Sequence, residues 1–260
     1  MAFTKITLER QGAVAVLTLN DPATRNSLSW DLCQEMGEAL DQLGDARAPV
    51  ITGAGKGFCS GGNMASETPE GMGFGDMIAK GLEDAVNPML RKLAALKIPV
   101  VAAVNGAAAG AGAPLALHAD FVIAGESAFF YFAFANVGLA LDAGASWILP
   151  RMVGLARATE ALMLVERIPA AKALEWGMIY KVAADDALLA EAMALATRLA
   201  AGPTVSYGAI RQALHAAASS TYENALLIEE DAQRTSGNAK DCAEAVQAFL
   251  EKRPPVFRGE

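Results

Sequence analysis

Two glycine-rich turns constrain this chain more than any other feature: Gly53-Ala-Gly-Lys-Gly-Phe-Cys-Ser-Gly-Gly-Asn63 and Val104-Asn-Gly-Ala-Ala-Ala-Gly-Ala-Gly112. Each follows a short β-branched run, Val50 to Thr52 and Val100 to Val104, and each leads towards a helix-like stretch. Glycine lets the main chain turn tightly and leaves no side chain in the way, so backbone N–H groups can approach a ligand directly. Taken singly, either turn also fits a loop in which glycine serves packing alone.

Strand-like and helix-like segments alternate along the rest of the chain. Ile6 to Leu8 and Ala13 to Leu19, either side of Gln11-Gly12, predict an N-terminal hairpin closed by the turn Asn20 to Thr24. From Ser29 to Leu43 the apolar positions Leu32, Met36, Ala39, Leu40 and Leu43 recur at helical steps, with Ser29 available as N-cap. The segment Ala65 to Lys80 holds Gly71, Gly73 and Gly75 with Met72 and Met77, a composition poor in helix propensity and suited to a mobile cover or a plain surface loop. Leu82 to Leu96 reads as helix, Phe121 to Ala124 and Phe129 to Phe132 as strands, and Ala158 to Val165, Ala170 to Trp176 and Leu188 to Leu199 as further helices. Gly202-Pro203 marks a boundary between an α/β core, residues 1–200, and a helical region, residues 201–260.

Composition narrows the function. With 53% hydrophobic and 19% charged residues, 260 residues bury a substantial core. A net charge of -8 argues against a nucleic-acid groove, which needs clustered Lys and Arg, and points to a small-molecule partner. Cys33, Cys59 and Cys242 are an odd, scattered set that fits reduced thiols in the cytoplasm, and two distant histidines, His118 and His215, offer no metal site. The N-terminus lacks a signal-peptide core. The uncharged stretch Ile98 to Ala119 is broken by Pro99, Asn105, three glycines and Pro114, which makes it strand, turn and helix start rather than a membrane span.

In order, the two glycine turns, Asn87-Pro-Met-Leu-Arg-Lys-Leu, Gly138-Leu-Ala-Leu-Asp-Ala-Gly-Ala-Ser, Leu149-Pro-Arg-Met-Val-Gly-Leu-Ala-Arg, Ala173-Leu-Glu-Trp-Gly-Met-Ile and the tail Phe249-Leu-Glu-Lys-Arg-Pro-Pro-Val-Phe resemble the crotonase (enoyl-CoA hydratase/isomerase) superfamily over nearly the whole chain. Within it they look most like the 1,2-epoxyphenylacetyl-CoA isomerases. The resemblance implies a spiral of ββα units, a helical C-terminal trimerisation region with trimers that can pair into hexamers, and a coenzyme A thioester as substrate with no separate cofactor. It also implies that the backbone amides of Gly62 and Ala111 hold the thioester oxygen. Donors placed where charge develops stabilise an enolate more than the ground state.

Hydratases of this family use two glutamates, and the matching positions here are Pro114 and Phe134, neither of which can exchange a proton. The remaining acid at a family pocket position is Asp142. Either it moves a proton between carbons of the acyl chain, its pKa raised by apolar walls, or it caps the helix that follows. Family position assigns the coenzyme A moiety to Ala23, Arg25, Ser60, Gly61, Asn63 and Met64, and to Lys252 from the same or a neighbouring subunit. Alternation places Phe130, Phe132 and Phe134 on one face, with Phe134 and Pro114 expected at the acyl pocket. His118 reads as a packing residue carried away from the glycine turn by its helix. Three functions follow: an acyl-CoA isomerase using Asp142, a hydratase or thioester hydrolase on the same scaffold, or a non-catalytic acyl-CoA-binding protein.

Overall fold

The computed structural model describes residues 3–63 and 69–260. Strand β1 (Ile6–Gln11) pairs antiparallel with β2 (Val14–Leu19), as the alternation around Gln11-Gly12 predicts. Beyond β2 the chain adds β3 (Ala48–Gly53), then the short β4 (Gly57–Cys59), β5 (Val101–Val104), β6 (Ala107–Ala109), β7 (Phe121–Gly125), β8 (Phe129–Tyr131), β9 (Ile168–Pro169) and β10 (Lys181–Ala183). They divide into a six-stranded sheet, β1-β2-β3-β5-β7-β10, parallel from β2 onward, and a four-stranded sheet, β4-β6-β8-β9. Successive pairs β3/β4, β5/β6 and β7/β8 each give one strand to either sheet before a helical segment follows, which is the expected spiral of ββα units.

Period-two alternation splits the larger sheet between two cores. Val14, Val50, Val101, Ala103 and Ile123 pack under α7 (Leu188–Ala200), whose Leu188, Ala192, Ala196 and Ala200 recur every four residues as a narrow stripe that lets the helix lie close. On the other face Leu17, Ile51, Ala102, Val104 and Val122 join the main core with Phe58, Phe130 and Phe132. Helix α1 (Trp30–Asp41) closes over that core with Leu32, Cys33, Met36, Ala39 and Leu40, and Ser29 caps it by accepting from the Leu32 N–H at 3.3 Å.

Three expectations about elements need correction. The glycine turns are not plain loops: each encloses a three-residue strand, β4 and β6, which pair in parallel through Gly57 with Ala107 and Cys59 with Ala108. The Met- and Gly-rich cover is helical from Phe74, because α2 (Phe74–Gly81) continues through a wide turn at Leu82–Val86 into α3 (Asn87–Ala95). None of the residues of α2 is fully buried; Met77 and Ile78 are half-buried on the side that faces the cavity. The helix expected over Ala158 to Val165 is the end of α5 (Ala145–Met163), which begins just after Asp142 and bends at Gly154.

Beyond α6 (Ala170–Glu175) and α7, Gly202-Pro203 lies in the connection to α8 (Thr204–Ala217), which is followed by α9 (Tyr222–Gly237) and α10 (Lys240–Glu251). Arg211 docks α8 onto the core. It is only 4% exposed, pairs with Asp120 at 2.9 Å and donates to the carbonyls of Leu93, Ala94 and Leu96. Asp120 in turn accepts from the Val100 N–H at 2.7 Å, so one pair ties α8 to α3 and to the entry of β5.

Candidate active site

A cavity of about 480 Å³ lies where the two glycine-rich segments meet. The β4–β6 pairing brings those segments side by side, so the residues just beyond each strand, Gly62 and Ala111, both line it. Gly61 makes the approach possible. Its φ is +88°, and a Cβ there would stand 2.7 Å from the Ala109 carbonyl oxygen and 3.0 Å from the Ala111 nitrogen, so only glycine fits. Leu28 pins the turn from outside, its N–H donating to the Gly61 carbonyl at 2.8 Å.

Helix α4 (Gly112–Leu117) starts directly after Ala111 and adds the partial positive charge of its first turn to the amide there. Among the described residues neither the Gly62 nor the Ala111 N–H donates to another protein group. Backbone donors on residues that line one cavity are the kind of group that can hold an oxygen gaining negative charge during a reaction.

Asp142 lines the same cavity and is the only carboxylate among its described lining residues. It does not cap α5. The main-chain carbonyl of Asp142 accepts from the Ala145 N–H, while its side-chain Oδ1 is buried with no hydrogen-bond partner. Burial without compensating donors pushes this carboxyl up to about 6 from its ordinary value of 3.8. Buried polar atoms are almost always paired, so an orphan oxygen aimed at a cavity marks a group that awaits a ligand.

The walls are otherwise apolar. Phe134, 7% exposed, lines the cavity with Leu28, Val86, Val137 and Leu139, and α2 covers it with Met77 and Ile78. Phe134 lies on a short 3-10 turn, Ala133–Val137, rather than on the strand, which stops at Tyr131. Cys33 also lines the cavity, and burial pushes its thiol up to about 12, so it stays protonated and acts as a small apolar wall. Pro114 departs from expectation. It is buried in the first turn of α4 outside the cavity lining, because three residues of helix carry it past the mouth that Ala111 faces.

Of the positions assigned to coenzyme A, Ser60 and Asn63 line the cavity. Ala23 and Arg25 are exposed on the turn after β2, next to Ser60: the Ser60 N–H donates to the Arg25 carbonyl at 3.0 Å and its hydroxyl to the Thr24 carbonyl at 2.9 Å. Met64 lies outside the described residues. Lys252 is exposed at the end of α10 and does not line its own chain's cavity.

One residue that the sequence reading passed over supports the site from behind. Asn26, fully buried at φ +57°, accepts from the Asp21 N–H and donates to the carbonyls of Ala54, Gly57 and Phe58 within 3.2 Å, lashing the turn that bears Arg25 to the first glycine segment. Its signal was present, since Asn is among the few side chains at ease at positive φ. His118, read as a packing residue, is one: it lies outside the cavity lining, with its ring beside Gly144 in the turn that follows Asp142.

Comparison with known proteins agrees with this geometry. Residues 9–260 match the family model described as Enoyl-CoA hydratase/isomerase. A 1,2-epoxyphenylacetyl-CoA isomerase of Escherichia coli (strain K12) is 42% identical over 250 residues, 95% of either chain. A Rhodobacter capsulatus protein called "Probable enoyl-CoA hydratase" is 41% identical over the full length of both. The crystal structure of an enoyl-CoA hydratase from Polaromonas sp. JS666 superposes with a TM-score of 0.89 at 35% identity, covering 97% of this chain and 99% of that one. The chain belongs to the enoyl-CoA hydratase/isomerase family and has the crotonase fold.

Proposed function

We propose that this member of the enoyl-CoA hydratase/isomerase family is an acyl-CoA isomerase in which Asp142 moves the proton. The observation that carries the reading is the Asp142 Oδ1, buried and without a partner among the described residues, in the same cavity as Gly62 and Ala111, with no second carboxylate among the described lining residues. Hydration calls for an acid and a base to divide water between two carbons, and the positions where hydratases keep them are Pro114 and Phe134. Isomerisation needs one group that takes a proton and gives it back.

In the proposed cycle the thioester oxygen of the substrate accepts from Gly62 and Ala111. The Asp142 carboxylate removes a proton from the carbon next to the thioester, and the electron pair shifts onto the oxygen as an enolate. Asp142, now a carboxylic acid, delivers the same proton to the far carbon of the allyl system. The double bond moves and the mass is unchanged. An amide donor of this kind lowers the barrier by roughly 3 kcal/mol. Coenzyme A arrives as part of the substrate, so the cycle draws on no resident cofactor. The apolar walls around Phe134 favour a bulky or ring-containing acyl group, which is also what the named substrate of the Escherichia coli relative carries.

Incubation with crotonyl-CoA, a 3-enoyl-CoA and a ring-epoxide of phenylacetyl-CoA, followed by mass analysis, separates the functions. Isomerisation leaves mass unchanged and alters the spectrum. A gain of water means hydratase, a free acid means thioester hydrolase, and tight binding without product means a binding protein. Asp142→Asn is expected to lower kcat by at least 100-fold, on the order of what a positioned general base supplies. Wild-type turnover by a folded Asp142→Asn variant would end the proposal.

A further inference from the structure

His118 closes α4 and stands between the two halves of the site. Its main-chain N–H donates to the Pro114 carbonyl at 3.1 Å, and its ring Nδ1 lies 2.8 Å from the same oxygen. A carbonyl can only accept, so Nδ1 carries the proton. Burial lowers the pKa of the imidazole, assisted by the nearby charges of His215 and Arg211, and the ring is therefore neutral with Nε2 bare. That bare edge faces the main chain after Asp142: a Cβ on Gly144 would stand 3.3 Å from Cε1 and 3.4 Å from Nε2.

The turn it faces is unusual. Ala143 at φ +49° and Gly144 at φ +76° are consecutive left-handed residues, and they reverse the chain between Asp142 and α5. Asp142 Oδ1 has no hydrogen-bond partner among the described residues, so it does not hold this reversal in place. At the other end of α4, Ala111 lines the cavity.

We propose that His118 is a positioning residue: pinned to α4 through Nδ1–H, its neutral ring props the Ala143–Gly144 turn and so fixes the spacing between the Ala111 amide and the Asp142 carboxylate. The proposal rests on the reading of Asp142 as the base. A proton carried between two carbons demands that one carboxylate reach both while the thioester oxygen stays in place, and a misplacement of about 1 Å can cost on the order of 100-fold in rate.

The test uses the full-length protein and spectrophotometric conversion of a 3-enoyl-CoA. For His118→Ala a fall in kcat of about 10- to 100-fold is expected, with KM within threefold, because His118 does not line the cavity. The acidic limb of its kcat/KM profile should move to lower pH as water reaches the loosened Asp142. His118→Gln, which keeps a donor and most of the volume, should recover most of kcat, whereas His118→Phe, which keeps only volume, should not. A folded His118→Ala variant with wild-type kcat and acidic limb, altered only in melting temperature, would overturn the proposal. If His118→Ala does not fold, equal kcat values for the Gln and Phe variants would overturn it instead. Asp142→Asn run alongside separates the two readings: its inactivity with a fully active His118→Ala refutes His118 alone, and its full activity refutes Asp142.

Discussion

At the scale of single residues, Asp142 carries a stability cost that follows from its surroundings. Its native carboxyl titrates near 6 and an unfolded one near 3.8, so the folded state binds the proton more tightly. The sign of the linkage is therefore opposite to that of a salt-bridged aspartate: the contribution to stability is full below pH 3.8 and is lost as pH rises through 6. The difference amounts to about 3 kcal/mol at pH 8. Asp142→Asn removes that titration, so it should raise the melting temperature at pH 8 by roughly 5 to 10 °C and leave it nearly unchanged at pH 4. Thermal melts at the two pH values check this, and an equal gain at both would show that ionisation is not its source. The same group sets the acidic limb of kcat/KM near pH 6, since only the ionised form takes a proton. Loss of activity and gain of stability in one substitution would mark a residue kept for chemistry.

Among the elements, the α8 attachment concentrates on Arg211, whose donors satisfy Asp120 and three carbonyls at the end of α3. Arg211→Met removes the charge partner of Asp120, while Gln212 still donates to the Ala94 and Leu96 carbonyls and the Val100 N–H to Asp120, and breaking this buried pair is expected to cost about 3 to 5 kcal/mol. Urea denaturation should record that loss, and faster hydrogen exchange confined to α8 and α9 would locate it. Other elements show what was legible beforehand. The hairpin, α1 and the parallel strands β3, β5 and β7 could be read because alternation, helical spacing or a β-favouring run marked each of them. Strands β4 and β6 could not: Gly57-Phe-Cys59 and Ala107-Ala-Ala109 are too short for a period and rich in residues with weak strand preference. Helix α2 was hidden by its flanking glycines, and the start of α5 by Pro150 and Gly154.

For the whole molecule, the site was legible as far as ordered motifs could place Gly62, Ala111 and Asp142, whereas the contact of His118 with Gly144 depends on packing between segments far apart in sequence. The C-terminal helices raise a further question of partnership. Ile210, Leu214, Tyr222, Leu227, Phe249 and Leu250 are each more than half exposed, a density of apolar surface uncommon on a monomer of net charge -8. The family expectation of a trimer, or of two trimers paired, supplies its cover. Sedimentation should give a multiple of the 27.0 kDa chain that survives raised salt, because apolar burial is not screened as ion pairs are. Leu214→Glu combined with Leu227→Glu should release monomers with unchanged far-ultraviolet circular dichroism. If Lys252 serves a neighbour's coenzyme A, those monomers will show a raised KM for the thioester with kcat little changed, since Asp142, Gly62 and Ala111 all come from one chain. A wild-type chain that sediments as a monomer at micromolar concentration would refute this assembly and leave Lys252 without a role in binding.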